Sequence, residues 1–304
     1  MSPSLRHRLR RGAAVAPDEP PAPEPAATPT PGLEPGPEPG PEPAPGPGPA
    51  AAPDPGPGPA PRRRAERRRT LAHMTPVLLL RAAHPRQALL TATGLAVAAA
   101  LSGRAGREVG LVFATVLVGQ AVLGWHNDLV DRRRDERRLP SGKPIADGYL
   151  DPGTVWFTLI CGVLLLVPLA ISHGVTAGSV YLATVAVGLV GNVVLRRSWF
   201  SWAPWAVAYA GYPAFLSYGG WGGAAVGAPP QVAMVVLAAA LGLGVHVLCA
   251  LPGLVADHED GLRHLPLRVA LRIGATRLLV LALAGTVLAV AGLLVVGNSV
   301  GLSR

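Results

Sequence analysis

Lysine is nearly absent from this chain: of 304 residues, 27 are Lys or Arg, and Lys143 is the one lysine among them. Cysteine is as scarce. Cys161 and Cys249 lie far apart inside apolar runs, with no C-x-x-C pair and no metal-ligand spacing. That pattern excludes a disulfide framework and a cysteine-held metal, and leaves two small hydrophobes expected to be buried. No ten-residue stretch alternates apolar and polar side chains, so a membrane β-barrel is not expected. Asp, Glu, Lys and Arg are also missing from the middle of every long apolar run. An ion-coupled carrier normally needs such a group at mid-membrane depth.

The first 74 residues lack the means to form a core. Stretches such as "PEPAATPTPGLEPGPEPGPEPAPGPG" are almost wholly Pro, Gly, Ala and Glu, with no aromatic or β-branched run to offset the entropy of ordering them. Residues 1–74 are therefore expected to be a disordered, partly polyproline-II tail, and residues 75–304 a single membrane domain. The basic start "MSPSLRHRLRR" leads into "GAAVAPDEPPAPEP" and not into an apolar core with a cleavage site, so it does not read as a secretory signal. "RRRAERRRT" has the charge to bind nucleic acid, but its place just before the first apolar segment reads as a membrane-orientation signal, with no nucleic-acid partner expected. Met74 opens "MTPVLLLRAAHPRQALL" and is a second candidate start.

What is abundant after residue 75 is hydrocarbon. Apolar runs fall near residues 85–102, 108–127, 154–171, 176–195, 202–221, 231–251 and 277–297, most of them near the roughly 20 residues that span about 30 Å of bilayer. An all-α, polytopic bundle of about seven transmembrane helices is expected. Gly and Ala in "ALSG", "VAVGLVGN" and "LGLGVH" suit close helix contact in lipid.

With a cytoplasmic N-terminus, the inner loops hold Arg132, Arg133, Arg134, Arg137, Arg138, Lys143, Arg196, Arg197, Arg263, Arg268 and Arg272, against Arg104, Arg107 and Arg304 outside. This is the positive-inside bias of an inner-membrane protein whose C-terminus lies outside. The acids discriminate further. From residue 75 onward, all but Glu108 fall in the inner loops after the second and sixth runs. Topology does not demand that, and two acidic clusters on one membrane face look like two halves of a cation site.

In "WHNDLVDRRRDERRLPSGKP", a helical continuation puts Asp128, Asp131 and Asp135 on one face, with Asn127 beside them. Like charges so close call for a cation. A hard divalent ion such as Mg²⁺ suits all-oxygen ligands and commonly bridges one or two carboxylates to substrate phosphates. Arg134, Arg137, Arg138 and Lys143 supply donors for such phosphates. The second cluster, "LPGLVADHEDGLRHLPLRVALRIG", offers Asp257, Glu259 and Asp260 with Arg263 beyond. His258 and His264 invite zinc, but tetrahedral ligand spacing is missing and Mg²⁺ is preferred. Between the clusters, Arg196 and Arg197 read as orientation charges or as a diphosphate contact. Trp199, Trp202, Trp205, Tyr209 and Tyr212 read first as an interfacial aromatic belt.

"GQAVLGWHNDLVDRRRDERRLPSGKP" resembles the first motif of the UbiA family of intramembrane prenyltransferases, N-D-x-x-D-x-x-x-D with a following K-P loop, matched by Asn127, Asp128, Asp131 and Asp135. "HVLCALPGLVADHEDGLRHLPLRVALRIG" resembles its second region, and "RRSWFSWAPWAVAYAGYP" its middle connection. The likeness covers nearly everything after residue 80 and implies a helical bundle, usually of nine helices, around a central cavity open to lipid. It also implies transfer of a prenyl group, an alkyl group other than methyl, from a prenyl diphosphate to a hydrophobic or aromatic acceptor. By that resemblance Asp128, Asp131 and Asp135 hold one Mg²⁺ with Asn127 assisting. Asp257 and Asp260 hold a second, and Lys143, Arg196 and Arg263 contact diphosphate. Gly253 stands where the family pattern has the first Asp of its second motif, and Gly191, Asn192 and Arg196 stand where it often has Y-x-x-x-K. Two other classes fit the composition: a carrier that binds an isoprenoid or quinone without transforming it, and a scaffold recruiting partners through its Pro-rich tail.

Overall fold

The computed structural model describes residues 73–138, 141–220 and 227–299. Residues 1–72 of the expected disordered tail lie outside the described residues. Each of the seven apolar runs is a long helix, and no strand occurs among the described residues. A short α1 (Thr75–Ala82) precedes α2 (Pro85–Leu101) and α3 (Gly106–Asp135). Next come α4 (Pro152–Ile171), α5 (Val175–Val190), α6 (Ala203–Tyr218) and α7 (Val232–Ala250). Two short helices, α8 (Leu254–Glu259) and α9 (Leu265–Ile273), lead into α10 (Ala275–Ser299). Five helical stretches, 106–138, 152–171, 175–195, 232–259 and 275–299, are long and apolar enough to cross a membrane. The chain is thus an all-α polytopic transmembrane bundle.

Local sequence sets the boundaries. Proline occupies the first turn of α1, α2, α4, α6 and α9, where its missing N–H costs nothing. Asp151 caps α4 by accepting from Thr154 N at 2.8 Å. Gly274, with φ of 92°, turns the chain between α9 and α10.

Helices adjacent in sequence pack on one another from α2 through α7, α10 closes on α7, and α3 also touches α5. The core they enclose holds Val112, Val116, Val122, Leu166, Tyr181, Tyr209, Tyr212 and Phe215. Small residues permit the close approach: a Cβ on Gly242 would lie 2.5 Å from the Trp205 carbonyl oxygen, so α6 and α7 meet nearly backbone to backbone there.

One expectation is corrected. Cys161 and Cys249 are not buried; both are exposed on the bundle. In a membrane bundle an apolar sequence position signals lipid or cavity contact as readily as core, because the solvent around the protein is itself hydrocarbon. Large side chains such as Phe157, Leu164 and Leu288 are exposed in the same way.

Candidate active site at the mouth of the bundle cavity

α3 is 30 residues long, about 45 Å, so its last turns run beyond the roughly 30 Å of a hydrocarbon core. Those turns carry Asn127, Asp128, Asp131, Arg134 and Asp135. Asp128 and Asp131 are only 2% and 6% exposed. Each carboxylate of this helix has a basic partner. Lys143 Nζ lies 2.9 Å from Asp128 Oδ1 and 2.9 Å from Asp135 Oδ2. His84 Nε2 is 2.9 Å from the same oxygen of Asp128. Arg196 Nη1 pairs with Asp131 Oδ1.

The loop after α3 is folded so as to deliver that lysine. Asp147 Oδ1 accepts from Ser141 N at 2.7 Å and from Ser141 Oγ at 2.8 Å, while Gly142 takes a φ of +74°. Ile145 and Leu150 bury themselves against Leu78 and Val155, pinning the segment beneath α1 and α4. Burial alone would lower the pKa of Lys143, but Asp128 and Asp135 outweigh it and hold the ammonium above its usual value.

The second cluster meets the first through arginine. Arg134 pairs with Asp257 Oδ1 and, through Nε, with Asp260 Oδ2. Arg138 donates to Asp260 Oδ1 at 2.8 Å and to the Ala256 carbonyl at 2.6 Å. On the other side of Asp257, His264 Nδ1 accepts from Leu267 N at 3.3 Å, which leaves its Nε2–H to donate to Asp257 Oδ2 at 2.8 Å. His264 thus caps α9 and orients a carboxylate with the same ring. The Cβ that Gly253 lacks would lie 3.4 Å from Asp257 Oδ2, an ordinary contact facing the acid.

Behind this polar mouth lies a cavity of about 350 Å³. Asn127, Asp131, Arg134, Arg196 and Asp257 line its polar end, and Trp205, Tyr209 and Tyr212 line it farther in with Gln120 and His246. Gln120 Nε2 donates to the Tyr212 hydroxyl at 3.3 Å, and His246 Nε2 is 3.1 Å from Ser201 Oγ. Burial, and then Arg197 beside it, lower the pKa of Arg196, with Asp257 opposing. Arg196 Nη2 is buried with no hydrogen-bond partner among the described residues, a donor available to a ligand.

The structure therefore brings Asn127, Asp131, Arg196 and Asp257 to one cavity from three separate connections. Asp128, Asp135, Lys143 and Asp260 are outside the lining, Lys143 paired with Asp128 and Asp135 and Asp260 with Arg134 and Arg138, and Arg263 is exposed and not among the lining residues. Among the described residues no three His, Cys, Asp or Glu side chains converge as a ready-made metal cage. The donor set still suits Mg²⁺, which needs only one or two carboxylates alongside phosphate oxygens and water, and Asp131 and Asp257 offer those. Sequence reasoning missed His84, Gln120 and His246, and saw His264 only as a zinc candidate. A signal for His84 exists in the His-Pro pair: Pro85 starts α2, and His84 takes a left-handed φ of 52° that turns its ring onto Asp128.

No protein-family model, curated protein or solved structure matches the chain.

Proposed function

We propose that the protein transfers a prenyl group from an isoprenoid diphosphate to a hydrophobic or aromatic acceptor inside the membrane, as a Mg²⁺-dependent prenyltransferase. The observation that carries the reading is the meeting of Asp131 and Asp257, 126 residues apart, at the polar end of a cavity whose inner wall is aromatic. One end suits an ionic headgroup and the other a hydrocarbon tail or ring.

Interleaved acids and bases suit a ligand that brings both signs of charge. Asp131 and Asp257, with Asn127 beside them, would hold Mg²⁺ at the cavity, while Asp128, Asp135 and Asp260 stay in ion pairs with Lys143, Arg134 and Arg138. The metal supplies charge neutralisation on the departing diphosphate. Arg196 and Arg134, released from Asp131 and Asp257, are the donors for diphosphate oxygens. Departure of diphosphate from an allylic carbon leaves a delocalised cation. Trp205, Tyr209 and Tyr212 line the cavity and offer aromatic rings that can stabilise that cation.

The positive-inside count supports a cytoplasmic side for this mouth and for the N-terminus, in a bacterial inner membrane. The test is Mg²⁺-dependent diphosphate release from a panel of prenyl diphosphates by membranes carrying the wild-type chain or Asp131→Ala, with membrane extract as acceptor. Release by the wild type, lost with EDTA and in the variant, supports the transferase; equal release by both removes Asp131 from the reaction. A second reading, a non-catalytic isoprenoid or quinone carrier, is favoured by one observation: Arg134 and Arg138 occupy the acids of the second cluster, and Gly253 adds no further carboxylate there. Donor binding without diphosphate release would support it.

A further inference from the structure

We propose that α9 is an interfacial arm that binds anionic phospholipid headgroups through Arg268 and Arg272. Nine residues long, about 14 Å, α9 is too short to cross a bilayer. Its Val269, Ala270 and Ile273 pack on Val247, Leu278 and Ala282, at the end of α7 and the beginning of α10. The helix therefore lies against the ends of membrane-spanning helices, at headgroup depth. Its outer face carries Arg268 and Arg272, both exposed, with Leu271 between them at 49% exposure.

The neighbouring elements extend that face. Arg268 stands over the Trp199 ring at 5.5 Å, and Trp199 and Phe200 are themselves exposed. Arg197 precedes this aromatic turn and Arg277 follows the Gly274 turn, both exposed. None of these four arginines has an acidic partner among the described residues, because the nearby acids Asp257, Glu259 and Asp260 are engaged by Arg134, Arg138 and His264. Unneutralised cations beside exposed Trp, Phe and Leu fit a surface that is anionic outside and hydrocarbon beneath, which is a bilayer and not a nucleic acid. α9 also begins at His264, the residue that orients Asp257, so the arm is tied directly to the cavity mouth.

The test uses the full chain in nanodiscs of phosphatidylcholine doped with phosphatidylglycerol, followed by detergent extraction and mass spectrometry of the lipid retained. Wild type is expected to enrich phosphatidylglycerol over the bulk ratio, with enrichment falling as salt rises. R268Q/R272Q should lower the binding by about fivefold per arginine. R268K/R272K, which keeps the charge, should retain most of it, and this separates lost binding from lost folding. Equal enrichment in the glutamine variant overturns the proposal. So does an equal loss in Arg86→Gln, which changes net charge elsewhere, or displacement of the lipid by a short RNA.

Discussion

Arg138 Nη2 donates to Asp260 Oδ1 at 2.8 Å across 122 positions of sequence. Beside it Arg134 grips Asp257 and Asp260 together, so two connections far apart in sequence are held as one unit by a guanidinium fork that a lysine could not reproduce.

Removing that fork should destabilise the bundle. Arg134, Asp257 and Asp260 are each under 20% exposed at the side chain, so Arg134→Ala leaves two largely buried carboxylates short of a partner. The expected loss is about 3 kcal/mol, read as a lowered unfolding midpoint of the detergent-solubilised protein. Arg134→Lys should recover only part of it. An unchanged midpoint in Arg134→Ala would show that the fork holds nothing together.

Lys143 gives a pH signature. Its folded pKa is raised above the usual 10.5, so its contribution is fully present below that value and is lost only as pH rises through the folded pKa. Lys143→Met should therefore lower stability by the same amount at pH 6 and pH 9. Unfolding midpoints of both proteins across that range test this; a difference that grows steeply between those pH values would contradict the pairing with Asp128 and Asp135.

Gly253→Asp places a second carboxylate against Asp257, where a Cβ meets no obstruction closer than 3.4 Å. Two acids together bind a hard cation better than one and repel each other without it. The variant should need less Mg²⁺ for half-maximal diphosphate release and be less stable in EDTA than Gly253→Asn. If Mg²⁺ dependence is unchanged while EDTA leaves stability intact, position 253 is remote from any metal.

Ala208 lines the cavity near Trp205 and Tyr209. Ala208→Trp should fill the space without disturbing the ionic mouth, and reduce turnover of a long-chain donor at least tenfold while sparing a short-chain one. Comparing kcat/KM for the two donors measures this. Equal effects on both would mean that the isoprenoid tail lies elsewhere.

Deleting residues 1–73 should leave diphosphate release intact, since every residue assigned to the site lies after them. Loss of activity in a truncated chain that still inserts would give the tail a role in the reaction, as a scaffold reading requires.

Much of the fold was legible because hydrocarbon solvation is a one-dimensional property. Twenty apolar residues in a row make a helix in lipid whatever their neighbours do, so each of the seven expected runs is a helix, with ends shifted by up to eight residues where Asp135 ends α3. The one-sided placement of acids and the spacing of Asp128, Asp131 and Asp135 were likewise visible, because helical periodicity is local. Burial was not. Cys161 and Cys249 show that apolarity in a membrane chain does not say whether a residue faces lipid, cavity or core.

Five of the seven expected spans are long and apolar enough to cross a membrane. The sequence by itself determined the apolar helices, the basic and acidic clusters and the residue types available for a phosphate and cation site. Only the tertiary structure decided which of them meet. Lys143 turns back on α3 because Ile145 and Leu150 bury under α1 and α4. His84 reaches Asp128 through a left-handed backbone. Asp131 and Asp257 share a cavity while Arg263 does not. Those pairings span from 8 to 126 residues, and they follow from how the helices pack and the loop folds back, which no local pattern encodes.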